Sequence, residues 1–313
     1  MSKIILIVGP TGTGKTTLSI KLAKKYDAVI LNADSTQVYT EPLIATAKIK
    51  EHEKENIEHY LFDVVSLNDD YTLYDYQKDG RRLLDRFISE NKNVIIVGGS
   101  GLYVKALLYN YVLEDKKEIN IDEDREAFIS PCDCKLSVYK ASDETFRIKH
   151  VNYSLDSLLK NSELAKEYKD DYVVICRLTP DNYHRYCYID SGYHGINKKI
   201  KGVLNTVRPI AVENKKVYVT NQRSYTILDT DNFGKVIQVE VGALMVGKIK
   251  NEHKNYFFTK GEEKGFFKYG GSTIILLVKK DNVKIDNYLI NNTKKGYETI
   301  INMGDKIGIK KED

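Results

Sequence analysis

Residues Gly9 to Thr16 read G-P-T-G-T-G-K-T and stand between an apolar run, Ile4 to Val8, and a helical pattern, Thr16 to Tyr26. A G-x-x-x-x-G-K-[ST] element placed directly after a strand and directly before a helix leaves the backbone little choice. It must curl so that its N–H groups face a common centre. Gly9, Gly12 and Gly14 permit the curl, with Thr11 and Thr13 filling the loop between them. The helix N-terminus adds partial positive charge, Lys15 neutralises anionic oxygens, and the Thr16 hydroxyl suits Mg²⁺. The implied ligand is a diphosphate or a nucleotide, and the implied fold is a parallel sheet with flanking helices.

The segments that follow extend this α/β pattern. Ala28 to Leu31 and Val94 to Val97 read as buried strands, and Leu102 to Tyr109 as a helix. Such alternation packs helices on a parallel sheet. Between Glu114 and Arg125 the chain becomes a charged run with little to bury, and the domain boundary is expected there. Beyond it, short β-branched and aromatic runs separated by turn residues predict a mainly β domain: Tyr172 to Cys176, Lys216 to Thr220, Val236 to Ile249 and Thr273 to Val278. One helix is predicted at Leu155 to Tyr168, and the Asn- and Lys-rich C-terminal stretches read as solvated surface. The expected organisation is a P-loop module over 1–113, a charged junction over 114–127 and a β domain over 128–313.

A P-loop does not distinguish ATP from other diphosphates, so the residues after it must decide. Asn32-Ala33-Asp34-Ser35-Thr36-Gln37-Val38-Tyr39, Thr46-Ala47-Lys48, Tyr71-Thr72 and Gly98-Gly99-Ser100-Gly101-Leu102-Tyr103 resemble the N-terminal part of a tRNA dimethylallyltransferase. The resemblance covers about residues 1 to 113. It implies that the P-loop takes the diphosphate of dimethylallyl diphosphate and that Asp34 acts as a base on an adenine amine. A carboxylate can remove that proton while Lys15 and Mg²⁺ stabilise the leaving diphosphate. The likeness stops near Glu114, before the part with which that family grips RNA, so binding of this or another diphosphate is expected more than transfer to tRNA.

In the C-terminal half, Gly270-Gly271-Ser272-Thr273 leads into the apolar run Ile274 to Leu277, a turn able to hold a strained peptide bond. By itself such a turn is more often a plain start to a strand. Ser130-Pro131-Cys132-Asp133, Asp181-Asn182-Tyr183-His184-Arg185, Pro209-Ile210-Ala211, Asn221-Gln222-Arg223, Phe233-Gly234 and Val241 to Gly247 accompany it, in the order found in phosphatidylserine decarboxylases. The resemblance runs from about Phe128 to Gly308. It implies a proenzyme that cuts itself between Gly271 and Ser272 and converts Ser272 to a pyruvoyl group, the electron sink when the carboxylate of phosphatidylserine leaves as CO₂. It also implies a cleavage triad in which a base activates Ser272 and a carboxylate, Asp133, orients the base. The family commonly shows Tyr-His-x-x-His, and here the second histidine is Cys187, so the base is either His184 or an activated Cys187. His194 is another candidate for the base, although a lone histidine in a predicted turn reads more readily as ordinary surface. Cys132-x-Cys134 with Cys187 and His184 offers metal-type donors at a spacing unlike known fingers, against the simpler reading of small buried thiols.

Composition limits the remaining classes. The 48 basic and 44 acidic residues leave a net charge of +4, too little to point to nucleic acid or an anionic membrane as partner. No apolar run reaches the ~18 residues of a spanning helix, while docking at a membrane surface stays open. With Met1 followed at once by a strand-like run and four cysteines in all, the expectation is a reduced, cytoplasmic protein, peripheral at the inner membrane face where it meets lipid. The combined reading is a pyruvoyl-dependent decarboxylase appended to a prenyltransferase-type P-loop module. Its alternatives are a diphosphate-using transferase, or a catalytically inert fusion of two gene fragments.

Overall fold

Among the described strands, parallel pairing is confined to the first hundred residues. The computed structural model describes residues 2–312 except 11, 41–47, 67–70, 72, 110–117, 143, 149, 180–181, 244–247 and 269–271. Thr11, Thr46, Ala47, Thr72, Asp181, Leu244 to Gly247, Gly270 and Gly271, all singled out above, therefore lie outside the described residues. The chain divides into two compact units, Met1–Asp115 and Lys116–Asp313.

The first unit runs β1 (Ile4–Val8), α1 (Lys15–Tyr26), β2 (Ala28–Asn32), β3 (His59–Tyr60), α2 (Leu73–Ser89), β4 (Asn93–Gly98) and α3 (Gly101–Leu108). Its sheet has the order β1–β4–β2–β3, every pairing parallel. Ile30, Leu31, Val94, Ile95 and Ile96 are fully buried, as a sheet covered on both faces requires. No unbroken apolar run marks α2 in the sequence. Its buried Leu73, Tyr76, Gly80, Leu84 and Phe87 nonetheless follow helical spacing. Gly80 brings α2 against α3, since a Cβ there would lie 2.2 Å from Leu107. On β1 the alternation leaves Ile4, Leu6 and Val8 exposed while Ile7 is buried.

The second unit contains β5 (Ala127–Ile129), β6 (Cys134–Lys140), β7 (Thr145–Ile148), β8 (Val151–Ser154), α4 (Leu155–Leu159), α5 (Ser162–Glu167), β9 (Tyr172–Leu178), β10 (Arg185–Cys187), β11 (Gly192–His194) and β12 (Lys198–Ile200). It continues with α6 (Pro209–Val212), α7 (Val217–Thr220), β13 (Arg223–Thr230), β14 (Gly234–Val241), β15 (Lys248–Asn251), β16 (Tyr256–Phe258), β17 (Glu263–Lys268), β18 (Ser272–Val278), β19 (Val283–Ile285), α8 (Asn287–Lys294), β20 (Thr299–Ile301) and β21 (Lys306–Lys310). The main sheet has the order β16–β11–β13–β14–β18–β9–β6–β20, with β12 also on β13, and its pairings are antiparallel. Alternate residues of each strand enter different cores. Cys176, Leu178, Ile274 and Leu276 face one, and Val173, Ile175, Ile275 and Leu277 face the other. This explains why β18 reads as an unbroken apolar run.

Two sequence expectations are corrected here. The helix predicted over Leu155 to Tyr168 is two helices, because Lys160 adopts a left-handed conformation (φ 51°) and Asn161 Oδ1 caps the second by accepting from Leu164 N. Lys216 to Thr220, with its β-branched character, is a short helix that buries the neighbouring Val217 and Tyr218, which a strand would send to opposite faces. The C-terminal Asn- and Lys-rich stretch is mostly exposed, as expected, and includes α8, whose Leu289 enters the core. Within the charged stretch, Ile119 and Ile121 pack against the same core.

Candidate functional site

In the first unit, Gly12 (φ 83°) and Gly14 (φ 79°) hold left-handed conformations that let the loop turn into α1. Lys15 Nζ donates to the Pro10 carbonyl (2.6 Å), as does Thr13 Oγ1 (2.8 Å), so the loop is braced by its own side chains. An open cleft beside it is lined by Gly12, Gly14, Lys15, Thr16, Asn32 and Asp34. Asp34 is placed by Asn32, whose Oδ1 accepts from Asp34 N (2.9 Å), and its own Oδ1 accepts from Thr36 N and Oγ1 (3.0 and 2.7 Å). Gly98 admits no side chain there, since a Cβ would lie 2.0 Å from the Ala33 carbonyl oxygen. The structure thus brings Lys15, Thr16 and Asp34 to one cleft. It adds Gln37, His59 and Phe62, and burial holds His59 below its ordinary pKa. His59 and Phe62 were not legible as site residues, because only the β2–β3 pairing returns them to the loop.

In the second unit, register sets Ser272 and Asp133 near one end of the main sheet, while Cys187 lies on β10 of the separate β10–β17–β15 sheet, with His184 just before it. Ser272 opens β18 opposite Leu178 on β9. On the far side of β9, Arg177 pairs with Lys135 of β6, so Asp133 lies just beyond the row that contains Ser272. Asp133 Oδ1 accepts from Met303 N (2.8 Å). His184 precedes β10, and its carbonyl accepts from Phe267 N (3.0 Å), which ties it to the strand leading toward Ser272. Cys187 N donates to the Pro131 carbonyl (2.8 Å), which brings β10 to the turn bearing Asp133. Ser272 is fully buried, and its Oγ has no hydrogen-bond partner among the described residues. A hydroxyl held that way costs roughly 1–3 kcal/mol, a cost that calls for an explanation.

Cys187 is also fully buried. Burial pushes its thiol up to about 12, and Sγ lies 3.8 Å from the Ser130 carbonyl oxygen. An activated thiol needs the opposite shift. His194 is not surface: it is buried on β11, with Nδ1 2.8 Å from the Tyr188 hydroxyl. The thiol grouping also differs from expectation. Cys132 and Cys134 are joined by Cys176, all three sulfurs lying within 4.8 Å of one another, rather than by Cys187 and His184. Burial raises the Cys134 thiol, but hydrogen bonds from Cys132, Cys176 and Ser130 outweigh it and bring the group below its ordinary value. Sequence reading missed Cys176 because only the β6–β9 pairing brings it to the others. A buried ion pair, Lys264 Nζ to Glu240 Oε1 (2.7 Å), was likewise not foreseen.

The second unit is that of a carboxy-lyase. The sequence model described as phosphatidylserine decarboxylase matches residues 104–309, and the chain belongs to that family. Phosphatidylserine decarboxylase proenzyme 2 of Clostridium acetobutylicum is 48% identical over 198 residues, covering 63% of this chain and 67% of the relative. A phosphatidylserine decarboxylase proenzyme of Clostridium botulinum is 44% identical over 201 residues, covering 63% and 68%. The N-terminal part resembles another family, described as IPP transferase, whose model matches residues 37–139. A tRNA isopentenylpyrophosphate transferase structure from Staphylococcus epidermidis is 42% identical, covering 37% of this chain and 38% of that one, with a TM-score of 0.34. A second, from Bacillus halodurans, is 34% identical, covering 40% of each chain, with a TM-score of 0.36. Among the described residues no helix is long and apolar enough to cross a membrane.

Proposed function

We propose that the chain is a self-processing decarboxylase acting on phosphatidylserine to give phosphatidylethanolamine. The observation that carries the reading is the Ser272 hydroxyl, fully buried at the first residue of β18 and without a partner among the described residues. Its oxygen attacks the Gly271 carbonyl, and the peptide bond becomes an ester. Loss of the Ser272 α-proton expels the Gly271 carboxylate, and uptake of water with release of ammonia leaves a pyruvoyl group at position 272. That group supplies the electron sink for decarboxylation. The residues present suit its formation, since Ser272 offers a fully buried hydroxyl without a partner among the described residues, and backbone pairing ties the segments of Asp133 and His184 to strands near it. His184, half-buried, takes the serine proton, and Asp133 orients it. Cys187 is left out of this role by its raised pKa. A lipid substrate suits an enzyme that works at a membrane surface, and the cytoplasmic face is the side proposed for it.

The first unit adds diphosphate binding of the prenyl-transfer kind, dimethylallyl diphosphate being the reference ligand. It is favoured by Lys15, Thr16 and Asp34 lining one cleft. The backbone of Gly9, Gly12 and Gly14, with Thr13 and Thr11, would cradle the phosphates. Thr16 and Asp34 offer the hard oxygen donors that suit Mg²⁺, which would neutralise diphosphate charge there. Residues 1–113 and 128–313 are proposed to act as separate modules joined through 114–127.

Denaturing mass spectrometry of the purified chain tests the decarboxylase reading. The expected product is a fragment beginning at position 272 with a pyruvoyl terminus. Ser272→Ala should stay intact at 35.9 kDa and lose decarboxylation completely. Cys187→Ser should process, and His184→Ala should slow processing by about 100-fold or more. An intact wild-type chain that releases no CO₂ from phosphatidylserine would leave the inert fusion as the better account.

A further inference from the structure

We propose that Cys132, Cys134 and Cys176 form a three-coordinate site for a soft monovalent d¹⁰ cation of the Cu(I) class. Their sulfur atoms all lie within 4.8 Å of one another, and all three residues are fully buried. Two neighbouring strands and the turn before them supply the ligands. Cys134 opens β6 and Cys176 stands on β9, where the Lys135–Arg177 pairing puts the two cysteines diagonally on one face. Cys132 arrives from the preceding turn, which is braced by Ser130 Oγ donating to the Cys132 carbonyl (2.8 Å) and lying 3.8 Å from Cys134 Sγ. Cys187, the remaining cysteine, is engaged elsewhere through the Ser130 carbonyl.

Geometry and ligand chemistry select the ion. Metal–sulfur bonds of about 2.3 Å in a trigonal arrangement place sulfurs roughly 4 Å apart, so the trio needs to contract by less than about 1 Å. Zinc asks for a fourth ligand, and among the described residues the group holds three. Soft thiol donors without nitrogen or carboxylate partners favour Cu(I). Each cysteine coordinates as its thiolate, so loading the site releases up to three thiol protons to solvent, and the cation offsets one of the negative charges left on the sulfurs. Because Asp133 lies between two of the ligands, the bound ion would clip the turn that carries it to β9.

The test uses the full chain, reduced and free of oxygen, incubated with Cu(I) held in acetonitrile and then desalted. Native mass spectrometry should find one copper per chain, and X-ray absorption at the copper edge should find three sulfur neighbours without recourse to any variant. Cys134→Ser and Cys176→Ser should each lower copper affinity, measured by competition with bicinchoninate, by at least 100-fold, while Cys187→Ser should retain it. The site is refuted if no copper survives desalting, if the edge spectrum shows oxygen or nitrogen neighbours instead, or if retention depends on Cys187. A chain two protons lighter that excludes copper would also overturn it, by showing a disulfide among the three thiols. Since every readout is binding, failure here leaves the decarboxylase reading untouched.

Discussion

Burial changes what a single side chain can do near neutral pH, and His194 carries that effect most plainly. Its Nδ1 meets the Tyr188 hydroxyl, which also meets His253 Nδ1 (3.1 Å), while Nε2 is buried without a partner among the described residues. Burial first, and then the nearby Lys264 ammonium, push its pKa down to about 3. A histidine whose folded pKa lies below its unfolded value of about 6.5 binds fewer protons folded than unfolded between those limits. Its contribution is therefore complete above about pH 6.5 and is lost as pH falls toward 3. Urea unfolding of the full chain at pH 7.5 and pH 5 should show a loss of up to about 1.4 kcal/mol per pH unit. His194→Gln should flatten that slope, and an unchanged slope in the variant would assign the pH dependence to other groups. Cys187 teaches the same lesson from the other side, because its sequence position suggests a base and its burial withdraws it.

At the scale of elements, local propensity was overruled wherever the core demanded another geometry. The pattern from Leu155 to Tyr168 is continuous enough to read as one helix, yet Lys160 turns left-handed and ends α4 after five residues. Such a conformation costs an L-residue roughly 1–2 kcal/mol, part of which glycine recovers after its own entropy is charged. Lys160→Gly should therefore raise stability by about 0.5–1 kcal/mol, read as a shift of the denaturant midpoint at constant slope; a drop would mean that the lysine's own contacts outweigh its backbone strain. Short helices at Pro209–Val212 and Val217–Thr220 show the same override, with Pro209 at a first helical turn that suits its fixed φ. By contrast β1, β4 and β18 were legible, because each is an apolar run bounded by turn residues, although only β4 and β18 are buried along nearly their whole length.

For the whole molecule, a parallel α/β unit and an antiparallel β unit meet in one chain, and the two family models overlap across residues 104–139. If the units act separately, Lys15→Ala should abolish pyrophosphate binding by calorimetry while leaving self-processing and decarboxylation within about twofold of the wild type. Loss of decarboxylation in that variant would mean that the units depend on each other. The exposed Ile4, Leu6 and Val8 on β1 show a sheet strand with one apolar side uncovered, a surface that the sequence pattern by itself reads as buried strand. Sequence alone determined the phosphate-loop motif, the Gly-Gly-Ser-Thr motif ahead of β18 and the change of texture between the halves, because each rests on local backbone chemistry or on periodicity within a few residues. Tertiary structure decided the burial of Cys187 and His194, the recruitment of Cys176, and the return of His59 to the P-loop cleft. Each of those depends on which strands lie side by side, a matter of long-range pairing that no local spacing records.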